Sequence, residues 1–113
     1  MLEDVLDACR GRQERDLADL CRLVAQPSIS TQDIGVDACA DLFLTLLREA
    51  GFTARLFPTP AHPVVYAEWL AAPGQPAVLI YRHYDVQPPE PLDAWLSSPF
   101  EPTVRDGKLF GRG

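Results

Sequence analysis

The 113-residue sequence has no apolar run long enough for a membrane span or a signal-peptide core. Its first residues, Met1-Leu2-Glu3-Asp4, are acidic where a secretory leader is basic, so a cytoplasmic protein with no membrane partner is expected. Basic runs are also missing. Ten basic side chains stand against sixteen acidic ones, a formal net charge of -6, and nucleic acid is therefore not an expected partner. Cysteine is sparse and odd in number. Cys9, Cys21 and Cys39 lie far apart in segments of helical pattern, without the close pairs of a zinc knuckle or a redox dithiol. They are expected to be buried, reduced thiols that pack as small hydrophobes. No internal repeat, linker or low-complexity tract appears, and 47% apolar residues in a chain of this length suffice for one compact domain and not for two.

What is present begins with helical periodicity. From Leu2 to about Ala25, Leu2, Val5, Leu6, Cys9, Leu17, Leu20, Cys21 and Val24 recur at helical spacing, with charged residues between them on a solvated face. This predicts one amphipathic helix or two, with a break near Gly11, stopped by Pro27. A second helical pattern runs from about Gly35 to Ala50, with Gly51 placed where a helix end favours a left-handed residue.

After Gly51 the period changes. Phe52–Phe57 and Val64–Leu70 read as strands around a proline-rich loop. Ala77–Tyr81 is an unbroken apolar run, the pattern of a strand covered on both faces. Gln87 to Pro102 contains five prolines and reads as loop. Thr103 to Phe110 reads as a hairpin turning at Asp106-Gly107, so Asp106 is assigned to turn geometry. Helices leading into a covered strand predict an α/β sandwich.

The residues that carry chemistry are His83 and Asp85, directly after the apolar run. Ligands of open α/β sheets gather at the carboxyl ends of strands. Two residues apart in extended backbone, the two side chains point the same way. A neutral imidazole can then give a lone pair to a metal while the carboxylate accepts its other N–H and fixes the tautomer. On spacing alone His-x-Asp is a weak signal, and a surface His beside a solvated Asp is the commoner case. His62, between Ala61 and Pro63, reads as a free surface histidine. Trp69 and Trp95 read as packing residues, and Arg112 is given no role.

The wording around the pair is more specific. Val78-Leu79-Ile80-Tyr81-Arg82-His83-Tyr84-Asp85-Val86-Gln87-Pro88 resembles the first metal motif of the M20-type metallopeptidases, the aminoacylase, carboxypeptidase and dipeptidase superfamily. The resemblance continues through Trp95, Ser98-Pro99-Phe100-Glu101-Pro102 and Arg105-Asp106-Gly107-Lys108-Leu109-Phe110-Gly111-Arg112-Gly113. The stretch Leu23-Val24-Ala25-Gln26-Pro27-Ser28-Ile29-Ser30 is similar to the opening of the family's catalytic domains, and Tyr84-Asp85-Val86-Gln87-Pro88 looks closest to the dipeptidase branch.

The resemblance implies that residues 1–113 are the N-terminal portion of such a catalytic domain, without its lid and dimerisation domain. The implied fold is part of a three-layer α/β/α sandwich of the zinc-peptidase type: two N-terminal helices, strands of a mixed sheet, and a C-terminal hairpin. His83 is implied as a ligand to one of two zinc ions, with manganese or cobalt as alternatives. Asp85 is implied as its catalytic-site partner and not itself a ligand. The implied activity is hydrolysis of amide bonds in dipeptides or N-acyl amino acids. The bridging aspartate, the glutamate base and the other ligands have no counterpart here, so the isolated chain is expected to bind metal weakly or not at all and to hydrolyse nothing. The alternative is a non-catalytic structural module on the same fold. Either way an uncovered sheet edge is expected to drive self-association, with a homo-oligomer as the product. One departure stands out: the family has Gly where this chain has Arg82. By strand alternation the guanidinium points away from His83, or else it disturbs a close backbone approach that needed glycine.

Overall fold

The computed structural model describes residues 1–113. Three helices come first: α1 (Leu2–Gly11), α2 (Gln13–Ala25) and α3 (Val36–Glu49), with a short 3-10 turn, Ser30–Gln32, before α3. The helical pattern of the first segment is thus split, at Arg12 and next to Gly11. Each helix carries acid in its first turn and arginine in its last, which complements the helix dipole.

The end of α3 forms a Schellman motif. Gly51 has φ +94°, its N–H bonds Arg48 O at 2.9 Å, and the Phe52 N–H bonds Leu47 O at 3.0 Å. That turn delivers the chain into β1 (Thr53–Phe57), which pairs antiparallel with β2 (Val64–Glu68) from Thr53 opposite Glu68 to Phe57 opposite Val64. Arg48 ties helix to sheet, donating from Nε and Nη2 to Ala54 O at 3.1 and 2.8 Å. The β1–β2 pair packs on α3, and α3 packs on α2.

A second antiparallel pair, β3 (Thr103–Arg105) and β4 (Lys108–Phe110), turns at Asp106 and Gly107. Both have positive φ, +49° and +71°, the geometry of a type I′ turn. The hairpin expected from Asp-Gly is therefore present.

The apolar core is small: Val24, Ile29, Val36, Cys39, Ala40 and Ala54. It lies where the end of α2, the start of α3 and β1 meet. Of the three cysteines only Cys39 is buried. Cys9 is exposed and Cys21 half-buried, because the helix faces that carry them are covered little or only in part, which corrects the expectation of three buried thiols.

The α/β character of the fold matches the expectation, but one strand does not form. Ala77–Tyr81 is neither strand nor core, and Val78, Leu79, Ile80 and Tyr81 are 86, 92, 79 and 88% exposed. A strand exists by virtue of its neighbours, and neither two-stranded sheet extends to this segment. Trp69 is exposed as well, so it does not pack as expected.

Candidate metal centre

The segment after the apolar run is fastened to the one that follows α2. Val86 N–H donates to Ser28 O at 2.9 Å, and Ile29 and Val86 form an isolated parallel bridge. The buried Ser28 hydroxyl donates to Tyr84 O at 3.0 Å. Tyr84 in turn donates its hydroxyl to Pro63 O. Burial is the main reason why the Tyr84 phenol titrates above its usual value. Alternate residues of the extended stretch are thus held by backbone and hydroxyl contacts, and the residue between them, Asp85, is set at a fixed height.

His83 and Asp85 come together on the same side. The imidazole Nδ1 lies 3.2 Å from Asp85 Oδ1 and 3.0 Å from the Asp85 carbonyl oxygen. The imidazole is 76% exposed and the carboxylate 40% exposed, so the pair faces outward at the surface and not into the core. Both groups within reach of Nδ1 are acceptors, so in the neutral ring the geometry favours the proton on Nδ1 and the lone pair on Nε2. The second carboxylate oxygen, Oδ2, accepts the Ser30 hydroxyl at 2.5 Å. Asp85 titrates below the usual carboxylate range. The Ser30 hydrogen bond is the chief cause, partly opposed by burial and helped by the backbone N–H of Asp85 and by His83.

The donor chemistry suits one position of a zinc-type site: a neutral imidazole backed by a carboxylate. No group of three or more His, Cys, Asp or Glu side chains converges on it, or anywhere else in the chain. Arg82 is exposed beside it. His62 does not join the pair; its Nδ1 stands 3.8 Å from Asp33 Oδ1 in a separate loop.

Arg112, which sequence reasoning passed over, organises the loop beyond the pair. Its Nη2 donates to Pro88 O at 3.0 Å and its backbone N–H to Pro99 O at 2.7 Å. Its guanidinium sits 5.6 Å from the centre of the Trp95 ring, whose Nε1 donates to Pro89 O at 2.7 Å. Trp95 is thus a packing residue. The signal lay in the glycines on both sides of Arg112. A Cβ on Gly111 would come within 2.3 Å of Val24 Cγ1, so backbone must lie directly on α2 for the arginine to reach the loop.

A histidine held by a carboxylate after an extended segment, on a scaffold of helices and small sheets, is an arrangement that can supply one donor to a metal in an α/β protein. Residues 79–113 match Peptidase family M20/M25/M40. Among curated relatives, the succinyl-diaminopimelate desuccinylase of Xylella fastidiosa strain M12 is 38% identical over 95 residues, which cover 82% of this chain and 23% of that protein. The same-named protein of Azoarcus sp. is 38% identical over 97 residues, 86% of this chain and 24% of the relative. Two solved structures are similar. An M20 family metallo-carboxypeptidase from Sulfolobus solfataricus superposes with a TM-score of 0.79 at 36% identity, over 86% of this chain and 22% of the other. Human carnosine dipeptidase 1 gives a TM-score of 0.87 at 29% identity, over 99% of this chain and 27% of the other. The chain belongs to the M20 metallopeptidase superfamily and corresponds to a portion of such a protein. It spans about a quarter of the length of the relatives it matches. They include a desuccinylase, a carboxypeptidase and a dipeptidase, so the likeness defines the superfamily and not the dipeptidase branch.

Proposed function

We propose that residues 1–113 are the N-terminal portion of an M20-type catalytic domain, in which His83 is a ligand to one ion of a two-metal centre. Asp85 holds the ligand in the correct tautomer. The parent protein hydrolyses the amide bond of a dipeptide or an N-acyl amino acid, with zinc as the expected metal and manganese or cobalt as substitutes. Free, unpaired cysteines support a reducing, cytoplasmic location. The observation that carries this reading is the hydrogen-bonded His83–Asp85 pair, exposed and facing one way. When bound, the metals supply Lewis-acid polarisation of the scissile carbonyl and an activated water. This chain's own residues present one imidazole nitrogen, orient it and hold its proton on Nδ1.

The 113-residue chain by itself is proposed to be inactive, because a catalytic zinc takes about three protein ligands and amide hydrolysis needs a general base. Calorimetric titration of the purified chain with zinc checks this. Weak binding that disappears in His83→Ala, with no dipeptide turnover, is the expected result. Metal-dependent turnover lost in His83→Ala would overturn the inactivity, and zinc binding indifferent to His83→Ala would overturn the ligand assignment.

A second reading, a self-associating module, is favoured by the exposed apolar run Val78–Tyr81. It involves a second copy of this chain, pairing along backbone that has no strand neighbour.

A further inference from the structure

We infer that Ser30 is a positioning residue for His83. From a segment 55 residues away its hydroxyl pins the Asp85 carboxylate, so that the other carboxylate oxygen faces Nδ1 and Nε2 is the nitrogen offered to a metal. The inference deepens the function proposed above and relies on it only for what Nε2 does.

Three observations lead there. First, the two segments are joined by backbone, not by Ser30 alone. Val86 N–H on Ser28 O at 2.9 Å and the parallel Ile29–Val86 bridge bring Asp85 alongside the Ser28–Ser30 segment, diagonal to Ser30, without help from either side chain. The Ser30 hydroxyl is therefore free to act on the carboxylate and is not needed to build the seam.

Second, the hydroxyl bonds where a loop serine ordinarily would not. Ser30 opens the 3-10 turn Ser30–Gln32, and a serine there commonly bonds backbone a few residues along its own turn. Here it donates to Asp85 Oδ2 instead.

Third, the division of labour at Asp85 is complete. One oxygen accepts from Ser30, and the other lies 3.2 Å from Nδ1. A carboxylate on a terminal sp3–sp2 torsion turns freely unless something holds it. With one oxygen fixed, the other keeps facing the ring, and its partner nitrogen must be the protonated one. The Asp85 carbonyl oxygen, 3.0 Å from Nδ1, acts in the same direction and sets a floor beneath the effect.

The test uses the full chain with 15N-labelled histidine rings, and two-bond 1H–15N spectra report which ring nitrogen carries the proton. His83→Ala assigns the signal, and His62 is the internal reference. In the wild type His83 is expected as the Nδ1–H tautomer. Ser30→Ala is expected to lower that share and leave His62 unmoved, and Ser30→Thr, which keeps the hydroxyl, to restore it. The affinity for zinc alone is expected to fall about tenfold in Ser30→Ala and to recover in Ser30→Thr. Ser28→Ala, which breaks a neighbouring contact without touching Asp85, is expected to leave the tautomer as it was. If Ser30→Ala fails to fold, Ser30→Cys keeps the volume with a weaker donor and is expected to give an intermediate loss.

An unchanged tautomer in a folded Ser30→Ala or Ser30→Cys protein overturns the inference, as does an equal loss in Ser28→Ala. The two proposals fail separately. A tautomer that follows Ser30 in a chain that binds no zinc through His83 sinks the metal-ligand reading alone. Zinc bound through His83 with a tautomer indifferent to Ser30 sinks the positioning role alone.

Discussion

Gly35 shows how much one missing side chain can fix. Its φ is +69°, and a Cβ there would lie 2.2 Å from Pro27 O. Two separate penalties would meet any replacement: left-handed backbone and a clash with backbone that has little room to move. Gly35→Ala is expected to lose about 1–3 kcal/mol from the backbone strain, with the clash adding to it, read from urea unfolding. Gly35→Asn separates the two, since asparagine tolerates the left-handed region but still carries a Cβ. A Gly35→Asn protein as stable as the wild type would show that the close approach to Pro27 has no weight. Sequence reasoning placed a helix start at Gly35 but not this contact, since the contact depends on where Pro27 returns in space.

The cysteines also differ residue by residue. Burial pushes the Cys39 thiol above its ordinary value, partly offset by Ser28, while Cys9 stands in solvent. The thiolate is the reactive form, so iodoacetamide at mildly alkaline pH is expected to label Cys9 first, Cys21 next and Cys39 last. The linkage has a definite sign. A raised native pKa means that folding favours the neutral thiol. The stability linked to Cys39 is therefore full below the unfolded pKa and declines as pH rises through the native value. Cys39→Ser is expected to flatten the alkaline side of the stability profile, and an unchanged alkaline limb would count against the linkage. Spacing revealed that all three cysteines lie on helices, but not which helix face would be covered.

At the scale of elements, the features legible from sequence were those set by local chemistry. Gly51 ends α3 because a left-handed residue is needed there, and Asp106-Gly107 turns a hairpin because both positions take positive φ. Ala77–Tyr81 was misread for the complementary reason: an apolar run states a preference for burial but cannot supply the neighbouring strand. The His83–Asp85 pair was legible because two residues apart in extended chain share a side. Ser30 and Arg112 were not, because both act across long stretches of sequence.

The junction of α2 with the Gly-Arg-Gly segment tests this at one contact. A Cβ on Gly111 would meet Val24 Cγ1 at 2.3 Å, and one on Gly113 would meet Val24 Cα at 2.8 Å. Gly111→Ala is expected to lift the segment from α2, loosen the Arg112 contacts to Pro88 and Pro99, and cost about 1–3 kcal/mol through overpacking. Faster amide exchange at Arg112 and a shift of the Trp95 indole N–H signal are the expected readouts. Gly11→Ala is the control, since a Cβ there meets nothing within 4 Å and the residue ends α1. That change is expected to be neutral or stabilising by about 0.5–1 kcal/mol. Equal losses in the two variants would mean that the Val24 contact carries no special constraint.

The whole molecule is more open than its length requires. Its radius of gyration is 16.4 Å, against about 13 Å for a compact chain of this size. Its accessible surface is 8674 Å2, where a monomer of 12.5 kDa ordinarily shows about 6,200 Å2. The excess is larger than the roughly 1,600 Å2 buried by a standard protein interface, so there is ample surface for a specific contact. It is also apolar where it is most exposed: Val78, Leu79, Ile80 and Tyr81 form a continuous stretch with free backbone donors and acceptors. Pairing with a second copy through this stretch would satisfy backbone and side chains together. The apparent mass by light scattering is accordingly expected to rise with concentration above that of one chain. Val78 and Ile80 alternate onto one side of an extended segment, so Val78→Asp with Ile80→Asp should charge that side and return the protein to monomer. The zinc binding proposed for His83 should be no different in the double variant, because the His83–Asp85–Ser30 contacts do not involve those side chains. A wild-type chain that stays monomeric at high concentration would leave the exposed run without a partner of its own kind, and the self-association reading would fall with it.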